Sequence, residues 1–201
     1  MSRWILAVAA LALLASPVSA QYIGIFMDRE ATTWCAEVGS TPFVDLHVVA
    51  VLGGDVTIMT GAQFKITGTP PGWTPENALW VPDAGAGANI GHPLFPTPTH
   101  PQTPGVNTVF SSCLSFPEGG RVPLGRIILL GAPTPANVTL RVENFDLVPP
   151  DPDCPFVTAC GPDYPPVCVG GGEIVLNGDK PYGCHVPVAT PTWTVVKTLY
   201  R

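Results

Sequence analysis

The residues with the most evident chemistry are the cysteines, three of which fall in the stretch CPFVTACGPDYPPVC, residues 154–168. Clustered cysteines bind zinc, exchange electrons or form disulfides, and their spacing helps to decide among these roles. The last four cysteines are separated by five, seven and fifteen residues, whereas zinc sites and redox motifs favour more closely spaced pairs. The spacing therefore favours disulfides. The full set is Cys35, Cys113, Cys154, Cys160, Cys168 and Cys184.

The amino-terminal segment predicts the oxidising compartment that disulfides need. Residues 1–20 contain Arg3, then an apolar run from Ile5 to Ala15, and end on small residues at Ala20. This order is typical of a secretory signal peptide that is cleaved after its last small residue. The apolar run is shorter than the roughly 20 residues that a membrane-spanning helix needs. We therefore expect no membrane span and a secreted, periplasmic or cell-surface protein.

The remaining residues, 21–201, have the length of one domain. We predict a single disulfide-stapled β-sandwich domain with a Cys/Pro-rich C-terminal region at residues 149–185. An even number of cysteines in an exported chain favours disulfides throughout. Six cysteines allow many pairings, and sequence alone does not choose among them. Our preferred pairing joins Cys35 to Cys113, Cys168 to Cys184, and Cys154 to Cys160.

The composition excludes one class of partner and favours one class of fold. The formal net charge is −6 and the chain has only nine Lys and Arg residues, so it lacks the basic surface that binds phosphate backbones. We expect no nucleic-acid partner. Only 12% of the residues are charged, while the chain contains 21 Gly, 25 Pro and 46% hydrophobic residues. This combination favours many turns between apolar strands over disorder.

The hydrophobic pattern predicts an all-β fold. In residues 42–52, apolar side chains alternate with polar ones such as Asp45 and His47, which is typical of a strand with one buried face. No segment shows a helical period with caps at both ends. Gly53-Gly54 predicts a hairpin turn between neighbouring strands. The predicted strands are 22–27, 42–52, 55–59, 61–68, 106–116, 126–131, 137–142 and 173–177.

Two Gly- and Pro-rich regions interrupt this pattern, at residues 67–105 and 149–172. Both are longer than ordinary connections, so we expect irregular loops with a functional role or mobility. The short strands separated by turns then predict a two-sheet antiparallel β-sandwich, cohesin-like or immunoglobulin-like, with long irregular loops.

The stretch HVVAVLGGDVTIMTGAQFKITG (47–68), followed by VPLGRIILLG (122–131), resembles cohesin-like and related carbohydrate-binding-module-like sandwiches. With Cys35, Cys113 and the ending WTVVKTLYR (193–201), the pattern is similar to a group of uncharacterised exported bacterial proteins. The resemblance implies a β-sandwich and an exported location. It implies no catalytic residues.

Several side chains are candidates for binding or catalysis. Trp73 and Trp80 lie in the first Gly/Pro-rich region, where an indole ring can stack on a sugar, anchor a partner protein, or fold back and cap the sandwich. Asp45 and His47 share one strand face, so the carboxylate can orient the imidazole for acid–base chemistry. The alternative is that both are polar residues on a solvated face.

Metal binding has two further candidates. His92 and His100 supply two imidazoles, but zinc or copper needs a third ligand from elsewhere. Oxygen-rich loops can bind calcium, although the regular spacing of a calcium loop is missing. The alternative for each set is a solvated loop. The acidic candidates for calcium are Asp146, Asp151, Asp153, Asp163 and Asp179.

These observations predict a non-catalytic exported binding or structural module that recognises a protein or a glycan outside the cell or at its surface. The irregular loops are the expected contact surface, with Trp73 and Trp80 as candidate contacts. No cofactor is required, with calcium as the alternative. The competing hypothesis is a secreted hydrolase that uses surface carboxylates or Asp45 with His47.

Overall fold

The computed structural model describes residues 21–38, 41–54, 56–115, 120–145 and 153–178. Within these ranges the chain forms strands and no helix, so the predicted all-β class is confirmed. The strands are β1 (Tyr22–Phe26), β2 (Cys35–Ala36), β3 (Phe43–Val51), β4 (Ile58–Thr67), β5 (Ala78–Pro82), β6 (Ala86–His92), β7 (Gly105–Ser115), β8 (Arg121–Leu130), β9 (Val138–Glu143), β10 (Phe156–Ala159), β11 (Pro166–Cys168), β12 (Gly170–Gly171) and β13 (Glu173–Leu176).

Some predictions fall on other parts of the chain. The signal peptide, residues 1–20, and the terminal segment 179–201 with Cys184 lie outside the described residues. Among the described residues, none belongs to a helix long and apolar enough to cross a membrane.

The strands form two sheets that enclose one main core, as expected for a β-sandwich. The smaller sheet has the order β12-β1-β3-β8-β5. The larger sheet has the order β11-β10-β4-β9-β13-β2, and β7 joins it beside β4 with β6 beyond. Most neighbours are antiparallel. The parallel pairs β1 with β12 and β13 with β2 each cover two residues, so both sheets are mixed at their edges.

The alternation in β3 shows how the sequence builds the core. Val44, Leu46 and Val48 are buried between the sheets, while Asp45 and His47 alternate with them on the outer face. Burying one leucine side chain contributes about 2 kcal/mol. The predicted inward positions of β4 and β9 are likewise buried: Ala62, Phe64, Ile66, Val138, Leu140 and Val142.

A second, smaller apolar cluster covers part of the outer face of the five-stranded sheet. Phe26 and Val49 are buried there together with Ala31 from the loop after β1, and Tyr22 packs against them. Gly24 makes room for the rings, because a Cβ atom at this position would lie 2.7 Å from the Phe26 ring. This part of the sheet is therefore closed to a partner.

The predicted hairpin at Gly53-Gly54 is wrong. β3 pairs with β1 and β8, whereas β4 pairs with β7, β9 and β10 in the other sheet. The chain crosses from one sheet to the other here, and Gly54 adopts a φ of 56° that favours glycine. A glycine pair indicates that the chain changes direction. Both a hairpin and a crossing between two sheets require such a change, so the glycine pair does not distinguish them.

The two regions predicted as irregular contribute strands to the sandwich. Residues 67–105 contain β5, which pairs with β8, and β6, which pairs with β7. Residues 149–172 contain β10 beside β4 and β12 beside β1. β6 and β12 are rich in Gly and Ala, which have low strand propensity, so in these strands the tertiary pairing overrides the local preference.

The disulfides are present, but the preferred pairing is wrong. Cys113 is bonded to Cys160 and Cys154 to Cys168, with Cα–Cα distances of 6.0 and 5.6 Å. Cys35 is also disulfide-bonded. The reason is the strand order: β7 and β10 both pair with β4, which brings Cys113 and Cys160 to the same end of the sheet. The other bridge closes the β10–β11 hairpin.

Candidate functional site

The pair Asp45 and His47, predicted as an acid–base candidate, does not form a catalytic dyad. Asp45 Oδ2 accepts a hydrogen bond of 2.9 Å from Arg126 Nη1. His47 instead lines a groove of about 290 Å³, together with Arg29, Asp83 and Arg126. The carboxylate therefore positions a guanidinium and not the imidazole.

Ion pairs occupy the charged groups around this groove. Arg29 Nη2 lies 3.3 Å from Asp83 Oδ2, and Arg126, which also lines the groove, is paired with Asp45. Both arginines are largely exposed, so each ion pair contributes little to stability. Because each guanidinium already faces a carboxylate, the groove has almost no excess of positive charge with which to hold an anion.

The two predicted contact tryptophans pack into the sandwich. Trp73 is buried, with 5% of its surface exposed, and its Nε1 donates a hydrogen bond of 2.9 Å to Pro133 O. Trp80 is half-buried, its Nε1 donates to Asn89 Oδ1 at 3.1 Å, and its ring meets the Phe64 ring edge-on. This geometry favours the capping alternative over stacking on a sugar.

The histidines of the first Gly/Pro-rich region take separate roles. His92 Nδ1 accepts a hydrogen bond of 3.2 Å from Leu94 N, and its ring packs on Phe95. His100 Nδ1 lies 3.2 Å from Thr99 Oγ1. The described residues contain no group of three or more His, Cys, Asp or Glu side chains able to hold a metal ion.

The acidic residues named as calcium candidates are only partly described. Asp153 and Asp163 are exposed, while Asp146, Asp151 and Asp179 lie outside the described residues. Exposed carboxylates in turns are ordinarily hydrated by solvent, so Asp153 and Asp163 do not by themselves indicate a metal site.

His92 makes the stability of the fold dependent on pH. Burial lowers the pKa of His92 from 6.5 to about 4, because the charged imidazolium loses its hydration. The unfolded chain then binds a proton between pH 6.5 and 4 that the folded chain does not, so His92 destabilises the fold progressively as the pH falls through this window. Below about pH 4 both states are protonated and the effect is complete.

We expect that His92→Asn weakens this pH dependence. The asparagine Oδ1 can replace Nδ1 as the acceptor for Leu94 N, but it does not titrate. Urea unfolding at pH 7 and pH 4.5 should show a smaller loss of the free energy of unfolding in the variant than in the wild type. Equal losses in both proteins would show that His92 is not the group responsible.

An exposed surface without charged residues lies on the larger sheet, around β6 and β7. The strands β6, β7 and β10 contain no Asp, Glu, Lys or Arg. On the outer face of β6, β7 and the start of β4, the side chains of Ile58, Ile90 and Val109 are 38%, 49% and 44% exposed. We call this surface, together with the small residues Gly61 and Ala88 that pair with Val109, the uncharged face.

One sequence signal for the uncharged face does exist. From Ala84 to Leu114 the chain contains no Asp, Glu, Lys or Arg at all, although the protein contains 24 such residues. A charge-free segment of this length is compatible with burial as well as with an interface. The structure distinguishes a buried segment from an exposed one, because Ile90 on β6 and Val109 on β7 are exposed in the paired strands.

Comparison with known proteins finds similarity to solved structures. No family model matches the sequence, and no curated protein matches it. A cohesin module of a family 33 glycoside hydrolase from Clostridium perfringens is similar to this chain with a TM-score of 0.41 and 11% sequence identity. The match covers 80% of this chain and 98% of that module. The functional proposal therefore rests on the residues of the chain itself.

Proposed function

We propose that this chain is a non-catalytic exported binding or structural module that recognises a partner outside the cell or at its surface. The observation that supports this proposal is the uncharged face. Interface cores are depleted in charged residues, and contiguous exposed apolar surface on a soluble domain marks interaction sites. Ile58, Ile90 and Val109 are exposed apolar side chains on the larger sheet, and the strands β6 and β7 around them carry no charged residue.

The chemistry of the face favours a protein over a glycan as the partner. Its exposed side chains are aliphatic, whereas sugar rings are held by flat aromatic faces with polar groups around them. Trp73 and Trp80, which sequence analysis offered for sugar stacking, are engaged inside the sandwich. The proposal therefore moves the contact surface from the loops to the sheet. It assigns no cofactor and no nucleic-acid partner.

The competing hypothesis of a hydrolase has less support. A hydrolase needs titratable side chains that converge on a concave site with a nucleophile or an activated water. Asp45 is paired with Arg126, and Asp83, the carboxylate that lines the groove beside His47, is paired with Arg29. The disulfides and the predicted signal peptide support export for either hypothesis.

Charge introduced into the uncharged face tests the proposal. The mature protein is immobilised and exposed to the secreted and surface proteins of the producing organism, and the same protein is applied to a glycan array. We expect a saturable protein ligand whose retention falls at least about ten-fold in Val109→Glu, since burying an unpaired carboxylate in an interface is costly.

The matched control is Phe43→Glu. Phe43 is 52% exposed on β3 of the other sheet, so this variant introduces the same charge at a similarly exposed position and should retain the ligand. Equal loss in both variants would contradict the assignment of the uncharged face. Glycan binding without any protein ligand would contradict the preference for a protein partner.

A further inference from the structure

Asn177 and Gly178, directly after β13, form the only Asn-Gly pair in the sequence. An asparagine is deamidated when the backbone nitrogen of the next residue attacks its Cγ atom. Glycine allows this attack most readily, because it has no side chain to obstruct it and the freest backbone. Every other asparagine of the chain precedes Ala, Ile, Thr, Val or Phe. The sequence therefore makes Asn177 the most reactive asparagine of the unfolded chain.

In the fold, the side-chain amide of Asn177 connects three segments. Its Nδ2 donates a hydrogen bond of 2.9 Å to Thr134 O and a longer one of 3.3 Å to Pro135 O. Its Oδ1 accepts a hydrogen bond of 2.8 Å from Val38 N. The amide thus links the end of β13 to the segment after β2 and to the segment before β9, and this link uses both its donor and its acceptor.

The backbone of Asn177 is held at the same point. Asn177 N donates a hydrogen bond of 2.8 Å to Ala36 O, and Asn177 O accepts one of 2.9 Å from Asn137 N. Its φ is 51°, in the left-handed region that asparagine tolerates better than most residues. We call this set of backbone and side-chain hydrogen bonds the Asn177 joint. A ring between Cγ and Gly178 N forms only if both groups rotate, so the joint must open first.

We propose that Asn177 is a deamidation site that the fold protects and that reacts only when the Asn177 joint opens. In the open chain, Gly178 N loses its proton to solvent base and bonds to Asn177 Cγ, the bond from Cγ to Nδ2 breaks, and the nitrogen leaves as ammonia. Water then opens the succinimide ring at either carbonyl and yields aspartate or isoaspartate. The net reaction consumes water and releases ammonia, and it needs no oxidant, cofactor or enzyme.

The product cannot restore the joint. A carboxylate has no N–H to donate, so Thr134 O and Pro135 O lose their hydrogen bonds and face a negative charge at a half-buried position. Loss of these bonds destabilises the closed joint, so a chain that has reacted opens more easily than the original one. β13 is separated from β7 by β9 and β4, so the modification lies outside the uncharged face and does not depend on the proposed function.

Peptide mapping by mass spectrometry tests the proposal on the mature protein, kept at pH 9 in buffer or in guanidinium chloride. We expect deamidation in the denaturant to concentrate at Asn177, at a rate at least about ten-fold higher than in buffer, because the folded protein reacts only through its open form. Gly178→Ala should slow the reaction in denaturant several-fold, since its methyl group obstructs the attack. Equal rates in buffer and denaturant would overturn the proposal, as would deamidation spread evenly over the other asparagines.

Asn177→Asp reproduces one product and tests the consequence for the fold. We expect its Tm to fall by at least about 3 °C, because two donated hydrogen bonds are lost. The matched control is Asn107→Asp, which introduces the same charge at a half-buried position of β7 and should change the Tm by less than about 2 °C. A wild-type Tm for Asn177→Asp, or an equal loss in both variants, would contradict the claim that the product cannot restore the joint.

Discussion

Replacing Cys113 and Cys160 together by serine is expected to lower the free energy of unfolding by about 4 kcal/mol. The bridge spans a sequence separation of 47 residues, and a disulfide stabilises mainly by restricting the unfolded chain, more so for a longer loop. This is a large share of the roughly 5–15 kcal/mol that stabilises a typical domain. Urea unfolding under non-reducing conditions measures the difference.

The second bridge provides the matched control. Cys154 and Cys168 are separated by 14 residues, so the corresponding double serine variant should lose about 3 kcal/mol, less than the first. Non-reducing peptide mapping should recover Cys113 linked to Cys160 and Cys154 linked to Cys168. A peptide that links Cys35 to Cys113 would contradict the pairing on which both expected values depend.

Replacing Phe64 by alanine is expected to cost about 3–5 kcal/mol of the free energy of unfolding. Phe64 is fully buried between the sheets, and its ring meets Trp80 edge-on at a centroid distance of 6.1 Å. The substitution removes buried apolar surface and leaves a cavity that the two sheets cannot close without moving apart. Urea or thermal unfolding measures the loss.

Phe43→Ala is the control for this core prediction. Phe43 is 52% exposed on the outer face of β3, opposite Leu130 on β8. The same change of side chain at this position should cost less than about 1 kcal/mol. Similar losses at Phe43 and Phe64 would contradict the assignment of the two faces, and with it the position of the core.

The sequence predicted strands where the side-chain period was regular and failed where pairing alone defines the strand. Val44, Leu46 and Val48 alternate with polar residues and are buried as expected. In β6, by contrast, Gly87 and Gly91 offer almost no period, and the segment is a strand because β7 provides its hydrogen-bond partners.

Connectivity was less accessible from the sequence than the strands themselves. Gly53-Gly54 predicts a hairpin locally, yet β3 and β4 enter different sheets. The disulfide pairing failed for the same reason. Proximity of Cys113 to Cys160 depends on two strands that are distant in sequence but share β4 as a neighbour.

The environments of the candidate aromatic residues also depend on the folded chain. A tryptophan in a Gly/Pro-rich segment is a candidate for an exposed contact residue. In this fold, however, the Nε1 atoms of Trp73 and Trp80 donate hydrogen bonds to other residues of the same chain. Tyr164, in contrast, is 56% exposed in the loop between β10 and β11. Exposure and backbone conformation are tertiary properties, so only the folded chain separates these residues.

Hydrogen–deuterium exchange of the protein with and without its captured ligand tests the central claim most directly, because it reports which surface the partner covers. We expect slower exchange in β6 and β7 when the ligand is present, with β3 and β8 unchanged. Slower exchange confined to β3 and β8 of the five-stranded sheet would contradict the claim that the uncharged face is the binding surface.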